Sequence, residues 1–471
     1  MSSGLTDRPP AAAEAASTGT ATTTNGRPAA AMGGAAMGGR RPPRGGEPLP
    51  ESAFPPPSRN WFTRIRTFQS IGYLGYRNFF LAMLGQMASQ NMQMVVRAWL
   101  TFELTGSYAA LGVIALANAI PGLVLSMLGG AIADRVSSRK LIIQIGQVAN
   151  ALNTAGVGVL LVTDLLTFEY LFAAAVIQGI TMAIMMPSRQ SLIPGLVPGS
   201  VMMNAVALNA AGMNSMRLIA PAIGGFVLAY SGASAVYFLM SSLYLLACVF
   251  LWRVPELPRE IVKAGSVRGE VSAAWNNMGS GIAYIVRDPI LGPLLLINVL
   301  VVLTAMPYMF LLAGFVQDVL NAEADALGTL QSVSGIGSLA AALAVASMTA
   351  KRRGAWFLIG SGFQGLMLLA AFSLSTSVWM MGGFMLLMGI GQAARQGLSN
   401  VLVQEYVQEE YRGRVMSVYM LQFSLSQIGA FLTGLLAEAF GPRMALGSTS
   451  AALVVLAFGA LIFVPRLRNL D

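Results

Sequence analysis

Long apolar stretches separated by short polar connectors dominate this chain of 471 residues, and no other feature restricts its fold more. Six fall near 78–102, 107–133, 140–163, 167–187, 203–229 and 233–252, and six more near 288–316, 324–349, 354–374, 377–398, 414–437 and 442–464. About 20 apolar residues in a helix cross the hydrocarbon core of a bilayer. A helix is also the spanning structure that satisfies its own backbone polar groups there. Charged residues make up 10% of the chain and mean hydropathy is +0.65, whereas soluble domains carry about 25% charged residues. The expected fold is an all-α polytopic membrane protein. Twelve transmembrane helices form two pseudo-symmetric six-helix halves, 78–252 and 288–465, joined by a polar connector at 253–287.

Charge supports that count. With both termini placed in the cytoplasm, Arg135, Arg139, Lys140, Arg189, Arg253, Arg259, Lys263, Arg268, Arg287, Lys351, Arg352, Arg353, Arg412, Arg414, Arg466 and Arg468 fall on the inner side. Glu103, Asp164, Glu169, Asp318, Glu323, Asp325 and Glu438 fall on the outer side, with Arg443 the lone cation among them. Short cytoplasmic loops carry such a Lys/Arg excess, and one missed span would invert everything after it. The net charge of +9 follows from this asymmetry, and no nucleic-acid partner is expected.

Other chemistry is excluded by composition. The chain has one cysteine, Cys248, and no histidine. No disulfide can form within it, and neither Cys/His metal sites nor histidine acid–base chemistry is available. No Gly-x-x-x-x-Gly-Lys-Ser/Thr phosphate loop and no nucleophile motif are present, which argues against an ATP-driven pump and an enzyme. No cofactor is expected.

Residues 1–58 hold few large apolar side chains and read as a disordered cytosolic tail. Trp61, Ile65 and Phe68, with Arg64 and Arg66 between them, predict an amphipathic interfacial helix over 59–77. Trp275, Met278, Ile282 and Ile285 predict a second amphipathic helix in the connector, and 466–471 reads as a cytosolic end. A faint repeat relates 204–232 to 413–441: Gly225 and Gly232 recur as Gly434 and Gly441 at the same spacing. Such a repeat fits two related halves.

The connector between the second and third stretches carries Gly130, Asp134, Arg135, Arg139 and Lys140. This pattern resembles the signature loop of the major facilitator superfamily, with Ser137 and Ser138 where a glycine and an arginine are often seen. Further segments keep their order along 77–446: Arg77-Asn78-Phe79-Phe80, Leu84-Gly85-Gln86, Trp99-Leu100, Glu103-Leu104-Thr105-Gly106-Ser107, Asn204-Ala205-Val206-Ala207-Leu208-Asn209, Arg412-Gly413-Arg414-Val415-Met416 and Gly441-Pro442-Arg443. Together they resemble the enterobactin-exporter and macrolide-efflux branch, the transmembrane secretion effectors. Ala220-Pro221 and Gly224-Gly225 give part of the glycine–proline pattern of the superfamily's antiporters. The resemblance implies an alternating-access exporter of amphipathic small molecules driven by an ion gradient. The expected function is export of a drug-like or siderophore-like molecule across a bacterial plasma membrane by proton antiport, by a monomer. An importer or uncoupled facilitator of a small metabolite is the alternative, and a non-transporting scaffold is the alternative of another class.

Several residues are candidates for transport. Gln86, Gln90, Gln93 and Arg97 recur on one face of the first span. The stripe either lines a cavity or joins helices through amide hydrogen bonds. The resemblance implies a cavity lined by the first, fourth, seventh and tenth spans, whose polar residues include Gln178, Asn298, Gln392 and Gln396. Arg217 lies deep in apolar sequence, where a lipid-facing charge is costly; it is expected in the cavity or paired. Gly130, Asp134, Arg135, Arg139, Arg412 and Arg414 are the gate candidates, with Asp134 expected to pair with the helix start at Arg412–Arg414. No carboxylate lies in mid-span, which leaves Glu103 as the coupling candidate. Met182, Met185 and Met186 offer either an adaptable binding surface or ordinary core packing.

Overall fold

The computed structural model describes residues 66–135, 138–256, 267–346 and 351–470, and among them every regular element is helical. Helices α1 (Leu74–Thr105), α2 (Tyr108–Arg135), α3 (Arg139–Val162) and α4 (Phe168–Gln190) follow one another through short turns. The long α5 (Met202–Trp252) supplies the fifth and sixth spans, because its backbone breaks at Gly232, where φ is 81° and ψ 168°. Glycine enters that region without the penalty a Cβ would bring. The connector contains α6 (Val267–Arg287).

The second half starts with α7 (Leu291–Ala305) and α8 (Tyr308–Gly314), two pieces of one span separated at Pro307, followed by a π-helical turn at Phe315–Val319. Proline lacks the amide that would continue the helix. There follow α9 (Ala324–Ala346), α10 (Arg353–Leu374), α11 (Val378–Tyr406), α12 (Arg412–Met420), α13 (Gln422–Phe440), α14 (Pro442–Phe463) and the short α15 (Pro465–Arg468). α12 and α13 together form the eleventh span. Gly441 turns that span into α14 with φ 86° and ψ 153°, the counterpart of Gly232 in the first half. The described helices thus make twelve long helical segments, six on each side of α6, consistent with twelve crossings. By length and composition, eight of the described helices are long and apolar enough to cross a membrane. Large side chains such as Leu152, Trp252, Trp379 and Phe463 stand exposed around the bundle, as a lipid-facing surface requires.

The halves meet along two glycine-lined seams. On α2 and α13, a Cβ added to Gly112 would lie 2.7 Å from the Phe431 Cα, and one on Gly434 would lie 2.6 Å from the Tyr108 carbonyl oxygen. On α5 and α9, a Cβ on Gly225 would lie 2.7 Å from the Ala324 oxygen, and one on Gly328 would lie 2.6 Å from the Pro221 oxygen. Small residues permit backbone-to-backbone approach between membrane helices. Gly225 and Gly434 are the repeat positions read from the sequence, so the repeat marks equivalent contacts in the two halves.

The peripheral elements differ in detail from expectation. Within 59–77 the described chain forms a 3-10 turn, Arg66–Gly72, leading into α1, and Phe68 packs against a core that includes Tyr76, Phe79 and Leu196. Trp61, Ile65 and the 1–58 tail lie outside the described residues. On α6, Trp275 and Ile282 are exposed while Ile285 is buried. That helix docks through Gly281, which meets the Arg414 backbone, and through Tyr284, which stacks on Tyr411 at 4.2 Å. A face defined by large apolar residues alone missed the glycine at the contact.

Candidate substrate cavity and gates

A cavity of about 240 Å³ lies between α1, α2 and α4 of the first half and α8 and α13 of the second. Gln90, Arg97, Asn118 and Gln178 give it a polar side, and Phe310 and Gln427 face it from the second half. Leu111, Ile114 and Met182 are among its apolar residues.

The Gln86–Arg97 stripe serves both roles considered for it, residue by residue. Gln86 is buried and accepts from Gln147 Nε2 at 2.9 Å, which joins α1 to α3. Gln93 is buried and accepts from Gln178 Nε2 across to α4. Gln90 and Arg97 line the cavity. Arg97 Nη2 donates to Gln178 Oε1, and Asn118 Nδ2 donates to the same oxygen at 3.3 Å. Tyr237 and Tyr244 of the sixth span approach the guanidinium closely enough to interact electrostatically. Arg97 Nε has no hydrogen-bond partner among the described residues, and neither tyrosine hydroxyl makes a well-aligned bond there, although Tyr237 faces Arg97 and Tyr244 faces Gln178. No carboxylate faces Arg97 among them either.

In the second half, Asn298 is buried away from the cavity lining. It donates to Gln422 Oε1 at 3.0 Å and accepts from Ser399 Oγ at 2.9 Å, binding the seventh, tenth and eleventh spans together. Gln392 accepts from the Tyr308 hydroxyl at 3.3 Å, and Gln396 is half-buried nearby on α11. Arg217 is accessible and lies within electrostatic reach of Tyr308. Met182 lines the cavity, Met185 is packed against Gly146, and Met186 is partly exposed.

Sequence reading missed Arg395. It is 2% exposed, and its Nε donates to Gln364 Oε1 on α10 at 3.0 Å. The signal was present: Gln392, Arg395, Gln396 and Ser399 recur at helical spacing. Asn118 and Gln427 were missed because they belong to the second and eleventh spans, which were not expected to line the site.

The gate candidates lie at the end of the bundle that also carries Arg353. Gly130, Asp134 and Arg135 close α2, and their side chains lie outside the described residues. Arg139 Nη1 donates to the Ser191 carbonyl at 3.0 Å. Arg412 Nη2 donates to Gln404 Oε1 at 3.2 Å, and the Arg414 guanidinium sits 5.2 Å from the Tyr411 ring centre.

The opposite end holds a clasp between the halves. Glu438 of α13 accepts from the Ser107 hydroxyl at 3.0 Å and from the amides of Tyr108 at 2.8 Å and Ala109 at 3.3 Å. The Tyr108 hydroxyl donates to Asp318 Oδ2 at 3.1 Å, and Gln317 Nε2 donates to the Trp99 carbonyl at 3.1 Å. Glu103 is exposed in the last turn of α1 and does not line the cavity.

The profile of the transmembrane secretion effector family matches residues 71–471. The chain belongs to this family. The chain is similar to the staphyloferrin A transporter of Staphylococcus aureus (strain NCTC 8325 / PS 47), with 23% identity over 350 residues covering 73% of this chain and 84% of the relative. It is similar also to the multidrug efflux pump Tap of Mycolicibacterium fortuitum, with 25% identity over 397 residues covering 82% and 94% of the two chains. Its fold matches the inward-facing, unoccupied structure of a bacterial homolog to the human lysosomal transporter Spinster. The TM-score is 0.66 at 17% identity, over 83% of this chain and 97% of that one. The chain is therefore a multi-pass membrane transporter of small molecules and not an enzyme.

Proposed function

We propose that this transporter exports an amphipathic small molecule, drug-like or siderophore-like, from the cytoplasm of a bacterium by alternating access coupled to proton antiport. The observation that carries this reading is a cavity lined by both polar and apolar side chains, placed between two halves that are clasped at the Glu438 end. Lys140, Arg139, Arg353, Arg412 and Arg414 cluster at the other end, which supports placing that end and both termini in the cytoplasm. In that orientation the structure is closed to the outside.

Export then requires the Glu438 clasp and the glycine seams to part while the cytoplasmic end closes. Asp134, on the last turn of α2, and the cations Arg412 and Arg414, at the start of α12, are the charges suited to hold that second closure. A relative named as a multidrug efflux pump supports export, and one named as a staphyloferrin A transporter supports a small-molecule substrate. Glu103 is the carboxylate on α1 nearest to Arg97 in sequence and is the proposed proton carrier. The protein acts as a monomer in this scheme.

The test is efflux from cells preloaded with fluorescent amphipathic compounds and catechol siderophores, with and without a protonophore. Faster loss that the protonophore abolishes is the expected result. Loss indifferent to it, or net uptake, replaces the antiporter with a facilitator or importer. The absence of a buried mid-span carboxylate among the described residues favours that second reading.

A further inference from the structure

We propose that the Arg97 side of the cavity is an anion subsite and that the transported molecule is an amphipathic carboxylate. The inference deepens the exporter reading and rests on it for the word "transported". Arg97 is the one formal charge among the residues lining the cavity, and its side chain is 6% exposed. A cation held out of water is strongly unfavourable unless an opposite charge meets it. The described protein supplies none, and Gln178 offers only an amide oxygen already shared with Asn118.

The donor inventory points the same way. A guanidinium carries five N–H groups, and Arg97 bonds to Gln178 through Nη2 alone, with Nε unpartnered. Beside it stand the hydroxyls of Tyr237 and Tyr244, neither of which makes a well-aligned hydrogen bond to the described protein. A carboxylate supplies both a charge and the paired acceptor oxygens that a guanidinium fork matches. Leu111, Met182 and Phe310 then cover the apolar body. A cationic molecule of the same shape meets Arg97 with no acid in the lining to offset the repulsion. A neutral one leaves the buried charge without its counter-ion.

Binding of tritiated 1-naphthaleneacetate to the purified full-length protein tests this, with 1-naphthaleneacetamide and 1-naphthylethylamine as neutral and cationic competitors of similar shape. The acid is expected to bind at least tenfold more tightly than either competitor. In Arg97→Gln that preference falls to about unity. Arg97→Lys keeps it in part, and guards against a glutamine variant that fails to fold. Undetectable binding of the acid, equal affinities, preference for the amide or amine, or a preference that survives in Arg97→Gln overturns the assignment. Proteoliposome flux separates the two ideas. Arg97-dependent binding of the acid without flux keeps the anion subsite and removes the exporter, whereas flux of the amine or amide alone does the reverse.

Discussion

The Glu438 carboxylate caps the helix that begins at Tyr108, taking the Tyr108 amide at 2.8 Å although the two residues belong to different halves of the bundle. A helix N-terminus has unsatisfied amides and a positive dipole end, both of which favour a carboxylate. Part of the cap of one half is thus supplied by the other. Glu438 takes the Tyr108 and Ala109 amides, while Ser107 of the same half takes the Ala110 amide at 3.1 Å, so separating the halves strips the helix of two of its capped amides.

Losing this clasp should shift the protein toward the state open at the Glu438 end. Removing an N-cap costs about 0.5–2 kcal/mol, and about 1.4 kcal/mol is a tenfold change in an equilibrium. With Cys248→Ser as background and Leu111→Cys as a reporter in the cavity, Glu438→Ala should speed labelling by an impermeant maleimide added outside by about tenfold. An unchanged labelling rate would count against the clasp.

Wedging a seam should have a stronger effect than loosening the clasp. Gly225→Leu sets a side chain against the Ala324 carbonyl, which a Cβ alone would already approach to 2.7 Å. Overpacking costs about 1–3 kcal/mol, and opening that end relieves it. The variant should lose more than tenfold in transport and label faster at Leu111→Cys from outside. Normal flux in Gly225→Leu would show that the seam does not need to close.

The two roles within the amide stripe predict opposite phenotypes. Gln86→Leu strands Gln147 inside the first half and should lower the unfolding temperature in detergent while leaving ligand affinity unchanged. Hydrogen bonds between membrane helices average about 0.6 kcal/mol, so the shift is expected to be a few degrees. Gln90→Ala, on the cavity wall, should weaken ligand binding and leave the unfolding temperature alone. Finding the reverse pattern would exchange their roles.

Arg395 and Gln364 should be coupled. Removing one partner of a buried charge costs more than replacing both by apolar groups. Gln364→Leu should therefore destabilise the protein more than the Gln364→Leu, Arg395→Met double variant does. A thermal-unfolding cycle should give a coupling of about 0.5–3 kcal/mol, and strict additivity would mean that the bond carries no stability.

The helical crossings were legible in the sequence because a bilayer leaves the backbone few alternatives. The break at Gly232 was legible too, since it separates two apolar stretches. The cavity was less so. Gln86 and Gln90 lie one turn apart on one face, yet a neighbouring amide on α3 takes the first and leaves the second on the wall, a distinction set by partners remote in the chain. Glu438 read only as an outer-loop charge, because its partners Ser107 and Tyr108 lie more than three hundred positions away. Arg395 was overlooked between two glutamines that were named, since its burial depends on α10 packing over it.

The corner at Gly232 leaves no slack between the fifth and sixth spans: the chain reverses through a single non-helical residue. A hairpin without a loop joins its two arms directly, with no connector to take up a displacement of one arm. One arm carries Gly225, pressed against α9, and the other carries Tyr237 and Tyr244, beside Arg97. Parting of the seam is therefore expected to move the tyrosines around the buried cation, so that occupancy at Arg97 and the position of the halves would report on one another.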